Sequence, residues 1–279
     1  MKKDDIKSKI KAEEIIIGEN VVIEDDVFIT GKNGPAEQVI IGDNVFIGNS
    51  TKIIVPKLYL GDYTTIHNHT LAHGWEPLQI GRNFWLGQHS ILDSIGGLDI
   101  DDFVTIGAMS HIWTHIRSGD PIQGCRFNSQ KYLRINKDVW VAPSCHISAV
   151  KIGEKSMALL GSLIIHNMKP NHVYMGCPAV DITKKIGTQF KEITIEEKYE
   201  KMKQLINKFE MHHPEFKDEL KVVRSTDDFI ENKTCFNVSS RTYTKKMTKA
   251  ETLFFRENSL VKFIPYNELQ PFRFQKDDK

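Results

Sequence analysis

Between about Ile23 and Ile164 apolar and small residues recur every six positions: an aliphatic residue, often a glycine directly after it, and a small residue four places on. With Ile41, Leu60, Ile80 and Ile100 opening successive turns, the spacings are 19, 20 and 20 residues. Ile47, Ile66, Leu86 and Ile106 follow one hexad later, and Ile53, Ala72, Leu92 and Ile112 form a third column. The register is lost after Ile112 through Arg134. It returns at Ile135, Val141 and Ile147, and again at Ile152, Ala158 and Ile164. Three hexads per turn predict a triangular prism whose faces are parallel sheets of very short strands.

The prism accounts for the residue choices. The aliphatic at the first position fills a narrow interior, and Gly42, Gly48, Gly61, Gly81, Gly87, Gly107 and Gly153 follow it. Thr51, Thr64, Ser90, Ser110, Cys145, Ser156 and Ser162 supply the small inward residue beside the corner, where a large one would not fit. Pro35, Ala72, Ala158 and Phe84 depart from the pattern.

A second pattern begins near Pro178. Tyr199, Met202, Leu205, Ile206 and Phe209 recur at helical spacing until His213-Pro214, which predicts a helix of about three or four turns. Beyond it LKVV, TCFNVSSRTYTKK, KAETLFF and VKFIPY alternate strand-like and helix-like stretches. The chain is thus expected to be a prism over residues 1–187 with a small C-terminal α/β appendage over 188–279. In the appendage Arg241, Lys245 and Lys246 read as a solvated basic edge before they read as a phosphate site. The sequons at Asn232 and Asn237 mean little without a secretory route.

Composition narrows the function classes. The 279 residues are 40% hydrophobic and 26% charged, enough for a sizeable core, and no apolar run is long enough to span a membrane. The N-terminal MKKDDIKSKIKAEE has no apolar stretch behind it, so no signal peptide is read and a cytoplasmic protein is expected. Cys125, Cys145, Cys177 and Cys235 are scattered, which argues against a disulfide framework and a thiolate metal site. A net charge of +1 leaves no footprint for nucleic acid.

Chemistry belongs at the interruptions, because a solenoid tolerates insertions only at its corners. The third corner is lengthened repeatedly: HGWEPLQ, then DSIGGLD, then WTHIRSGDPIQGCRFNSQKYLR. The last, residues 113–134, adds 17 residues to an 18-residue turn and holds Trp113, His115, Asp120, Cys125, Arg126 and Asn128. Residues one past the third column are His73, Asp93, Trp113 and Ser148; two further on stand Trp75, Ile95, His115 and Val150. Asp93 and His115 are therefore expected on one edge, about 5–9 Å apart given a strand spacing near 4.8 Å. Two proton-handling groups there suit catalysis. The bland alternative has Asp93 capping the SIGG turn and His115 holding the loop through a backbone bond.

The repeat, the segment IWTHIRSGDPIQGCRFNS, and SMALLGSLI followed by VYMGCPAVDITKKI resemble the left-handed β-helix, hexapeptide-repeat acyltransferases. They are most similar to members that N-acylate nucleotide-linked amino sugars and carry a small C-terminal domain. The likeness covers residues from about 15 to 187 and reaches the tail only loosely. It implies a mainly β, left-handed parallel β-helix, a homotrimer, and active sites shared by two subunits. The implied activity is transfer from acetyl-CoA or a 3-hydroxyacyl-CoA, with no metal, to a nucleotide-linked amino-dideoxy sugar, dTDP-linked first. Such products serve surface polysaccharide, lipopolysaccharide or glycoprotein glycan synthesis.

By the same resemblance, Asp93 or His115 is the base and the other orients the amine, Asp93 being suited to accept an ammonium. Backbone N–H groups at a Gly-rich corner are candidates to stabilise the oxyanion. His73, Trp113, Asp120, Arg126 and Asn128 are expected on the acceptor. Ala142, Gly161, Ser162 and the Cys177-Pro178-Ala179 segment are expected along the CoA arm, with Lys151, Lys155 and Lys184 near its phosphates. Three other readings compete: a sugar or polysaccharide O-acetyltransferase, a non-catalytic trimeric scaffold, and a γ-class carbonic anhydrase-like metal site. The last would draw on histidines such as His67, His69, His89 and His111.

Overall fold

A computed structural model describes residues 3–270 and 272–274 of the chain. Consecutive strands are dealt in turn to three sheets. The first holds Ala12–Ile17, Ala36–Ile41, Lys57–Leu60, Leu78–Ile80, Leu98–Ile100 and Leu133–Ile135. The second runs from Val22–Ile23 to Ala179–Asp181, and the third from Phe28–Thr30 to Leu163–Ile164. Pairing is parallel except for the closing pair Val173–Gly176 with Ala179–Asp181. The chain is mainly β, a left-handed parallel β-helix with a small α/β unit after it.

Register reproduces the columns of the sequence. Ile41, Leu60, Ile80, Ile100 and Ile135 stack in the first sheet. Ile47, Ile66, Leu86, Ile106, Val141 and Ala158 stack in the second. Ile53, Ala72, Leu92, Ile112, Ile147 and Ile164 stack in the third. All are buried, each aliphatic removal from water contributing about 1.5–3 kcal/mol. The prism opens earlier than the repeat at Ile23, because Ile17 already pairs under Ile41.

Turns stack closely at the corners. A Cβ at Gly87 would lie 2.2 Å from the Ala108 nitrogen, so the chain passes there only as glycine. Thr51, Thr64, Ser110, Cys145, Ser156 and Ser162 are fully buried, as the small inward positions require. Corner residues also take the left-handed conformation without being glycine: Asn44, Tyr63 and His89 have φ of 57°, 56° and 57°. Asn and His favour this region locally, whereas Tyr63 is held there by the stacking of the turns.

Two compact units are present: one runs through Phe190 and takes in Phe272–Phe274 again, and the other starts at Lys191. Phe272 stacks on Tyr59 with centroids 4.2 Å apart, Arg273 pairs with Asp101, and the Phe274 amide donates to Gln79 Oε1. The second unit contains the expected helix, Ile195–His212, at 18 residues longer than the apolar spacing alone implied. A capping box between Thr194 and Glu197 starts it early. Four strands and the helix Lys249–Glu257 enclose Phe236, Phe254 and Tyr243. Arg241 donates to the Lys262 carbonyl and Lys245 lies 3.7 Å from Glu268, so both basic side chains have partners within this unit. No described helix is long and apolar enough to cross a membrane.

Ile106→Ala empties part of the prism axis and should lower stability by about 2–5 kcal/mol, read as a shift of the urea midpoint. Thr194→Ala should cost about 1 kcal/mol, followed by helical circular dichroism.

Candidate active site

The third sheet ends each turn at the corner where the sequence is lengthened. Asp93 closes the strand Ile91–Asp93 and pairs in register with His73. One turn later His111–Ile112 pairs with Ile91–Leu92, and the chain continues through Trp113 and Thr114 to His115. At this bend the Asp93 side chain turns inward and is fully buried.

Its carboxylate is held by four donors. The Ile95 amide donates to Oδ1 at 3.1 Å, and the Thr114 amide to Oδ2 at 2.7 Å. The Thr114 hydroxyl reaches Oδ2 at 2.9 Å, and His115 Nδ1 reaches it at 2.7 Å. Asp93 therefore both caps its turn and grips the histidine. The two side chains touch, closer than the 5–9 Å expected from strand spacing, because the chain folds over at the corner. Burial pushes the Asp93 carboxyl up, but the bonds from His115, the Thr114 and Ile95 amides and the Thr114 hydroxyl outweigh it. The group stays charged below the ordinary carboxylate range.

Asp93 is fully buried and its carboxylate already accepts from four donors, an arrangement that suits it to hold His115. An ionised carboxylate only accepts, so the proton on His115 resides on Nδ1 and the neutral ring presents a lone pair at Nε2. Among the described residues Nε2 makes no hydrogen bond. Trp113 meets His115 edge-on at 6.3 Å and His111 at 6.0 Å, and His111 meets His146 at 4.8 Å. Burial, then the neighbouring His146, push the His111 imidazole down, favouring an uncharged aromatic shelf beside His115.

The inserted segment folds into a hairpin, His115–Arg117 against Asn128–Gln130, with His115 opposite Gln130. Gln130 ties it to the corner by donating to the Ile95 carbonyl at 2.8 Å. On the first-sheet side of this corner lies a cavity of about 740 Å³ whose lining includes Trp75, Glu76, Gln79, Asp99, Gln130 and Tyr132. Neither Asp93 nor His115 lines it. Tyr132 donates to Asp99 at 2.6 Å, and burial followed by that bond and the Asp99 charge pushes its hydroxyl up. Lys32 stands over the Trp75 ring at 4.4 Å and Arg117 at 5.7 Å.

Of the acceptor candidates, His73 and Trp113 are half-buried beside the dyad, and Asn128 lies on the hairpin paired with Arg117. Asp120 and Arg126 are exposed in the loop beyond, where Asp120 accepts from the Ile122 amide. Of the CoA candidates, Lys151, Gly161 and Pro178 are exposed and Ala142 is buried in its strand corner. Ser162 is fully buried and its hydroxyl donates to the Leu159 carbonyl, so its side chain belongs to the wall. Thr114 and Gln130 were not among the sequence candidates; the only hint was a hydroxyl residue between Trp113 and His115. Elsewhere, His69 and His89 stack at 4.9 Å. Among the described residues no group of three or more His, Cys, Asp or Glu is placed to hold a metal ion.

No family model matches the chain, and no curated protein sequence matches it. Solved structures with some likeness include AntD, an N-acyltransferase from Bacillus cereus in complex with dTDP and 3-hydroxybutyryl-CoA. It is 15% identical, with a TM-score of 0.41 over 77% of this chain and 97% of that one. A hexapeptide-repeat acetyltransferase from Vibrio cholerae is 16% identical at 0.32, over 63% and 74%. A maltose O-acetyltransferase from Clostridium difficile is 15% identical at 0.34, over 68% and 75%. Likeness at this level decides neither substrate nor mechanism.

A carboxyl held below its unfolded value stabilises the fold above that value, and the contribution is lost as pH falls through the folded one. Wild-type protein should therefore lose stability below the ordinary carboxylate value of 3.8. Asp93→Asn should lack that part of the acid loss, as read from urea midpoints at several acid pH values.

Proposed function

We propose that the chain is an acyl-CoA-dependent acyltransferase whose general base is His115. The observation that carries this reading is the histidine gripped through Nδ1 by a buried carboxylate, on the corner that bears the inserted hairpin. Such a grip fixes tautomer and ring plane and stabilises the imidazolium that forms when Nε2 takes a proton. In the step proposed, Nε2 removes the proton of an acceptor nucleophile as that atom attacks the thioester carbonyl. The tetrahedral oxyanion collapses, the C–S bond breaks, and the imidazolium returns its proton to the departing thiolate.

A sugar acceptor is supported by the adjoining cavity. Tyr132 is 51% exposed and offers a ring face and Glu76 adds a carboxylate to the lining, while Lys32 stands over the Trp75 ring and Gln79, Gln130 and Asp99 are held by Phe274, Ile95 and Tyr132. The preferred acceptor is the amine of a nucleotide-linked amino-dideoxy sugar, the class the sequence resemblance implies. With Asp93 buried, no carboxylate of the dyad is reserved for an ammonium, which favours as a second reading acylation of a sugar hydroxyl by the same base. The later turns expose Trp140, Leu160, Ile165 and Met175, an apolar run suited to a neighbouring copy and to a CoA arm lying between prisms.

Thiol release is the test, with acetyl-CoA and 3-hydroxybutyryl-CoA as donors and amino sugars beside their hydroxyl counterparts as acceptors. His115→Ala should lower kcat/KM by about 10²–10⁴-fold, and Asp93→Asn should lower kcat with little change in KM for the donor. Turnover of the amine alone selects the first reading, and turnover of the hydroxyl alone the second. A folded protein that releases no thiol with any pair overturns both.

A further inference from the structure

Thr114 lies between the two members of the dyad and is almost fully buried. Its hydroxyl has one hydrogen and two acceptors in reach, Asp93 Oδ2 at 2.9 Å and the Asp93 main-chain carbonyl at 3.0 Å. Its lone pairs are engaged from the other side, where the Gly96 amide donates to it at 2.9 Å. Oδ2 is crowded, because the Thr114 amide and His115 Nδ1 both reach it at 2.7 Å. The amide is fixed by the backbone and the imidazole by its ring, so of these three donors only the hydroxyl proton turns by simple rotation.

We infer that this hydroxyl is a rotor that adjusts the Asp93 carboxylate to the charge on His115, which makes Thr114 a positioning residue of the reaction proposed above. With His115 neutral, the proton points at Oδ2 and drains part of its charge. When the ring gains a proton, its demand on Oδ2 rises, and the hydroxyl turns to the Asp93 carbonyl, 3.0 Å away. Oδ2 is then left to the imidazolium and the Thr114 amide. No covalent bond changes at Thr114. The small side chain is required for a second reason: the hydroxyl joins three successive pieces of the corner, Asp93, Gly96 and its own turn.

The charged and titratable groups facing the ring come from few elements. Asp93 lies below it, His73 pairs with Asp93 from the preceding turn, and His111 lies beyond Trp113. Arg117 is two residues on in the same strand, and Gln130 opposite is uncharged.

The inference rests on His115 as the base, and the test separates the two. Thr114→Val removes the hydroxyl at nearly equal volume, Thr114→Ser keeps it, and Thr114→Ala replaces the valine variant if that does not fold. Without the hydroxyl Asp93 pulls on the ring at all times, so the acid limb of the kcat profile should move to higher pH by about half a unit or more. Donor KM should change little, and Thr114→Ser should retain the wild-type profile. Imidazole ¹⁵N signals of His115, assigned by their absence in His115→Gln, give a readout that needs no substrate. A titration midpoint that moves up in the valine or alanine variant and not in the serine variant supports the rotor. A midpoint that stays put overturns it, even if activity falls with stability. An intact midpoint shift in a protein that transfers no acyl group overturns the enzyme reading and leaves the hydrogen-bond device standing.

Discussion

The width of the prism interior governs the rest of the molecule. Three aliphatic side chains meet at each level, and turns follow one another at the spacing of paired parallel strands. At the corners that spacing leaves no room even for a methyl group beside Gly87. It also pins non-glycine residues such as Tyr63 in a left-handed conformation. A core so narrow admits no inserted residue, so added length emerges at a corner and points outward. The placement of the hairpin after Trp113 is a consequence of packing before it is a matter of chemistry.

The same stacking makes a buried charge tolerable. A carboxylate removed from water without partners would be strongly unfavourable and would take up a proton instead. Asp93 escapes this because its own turn supplies the Ile95 amide and the next turn supplies the Thr114 amide, the Thr114 hydroxyl and the His115 ring. The repeat that satisfies strand backbones thus also builds a cage for one anion. The anion in turn fixes a histidine at the foot of the inserted hairpin, with Trp113 closing one side.

The columns from Ile41 to Ile164 were legible because a hexad period leaves one residue in six facing the axis, and their partners match the register found. The strand Ala12–Ile17 was harder to read: Ile17-Gly18 repeats the step of Ile41-Gly42, but it stands 24 residues ahead of it, outside the 19–20-residue spacing of the later turns, and only pairing with Ala36–Ile41 defines it. The start of the long helix was written in Thr194 and Glu197, a signal of capping and not of apolar spacing. The return of Phe272 to Tyr59 has no local signature, since the partners are over two hundred residues apart in sequence.

For the candidate site, the sequence by itself determined which corner carries the inserted segment and that Asp93 and His115 share its edge. Both follow from counting residues along a strictly periodic chain. The tertiary structure decided that Asp93 is buried and His115 half-exposed, that the two touch, and that Thr114 and Gln130 tie the corner together. Periodicity fixes where a backbone passes, whereas the direction of a side chain at a bend depends on which donors and acceptors surround it. Here those donors come from turns some twenty residues apart, and only stacking brings them to one point.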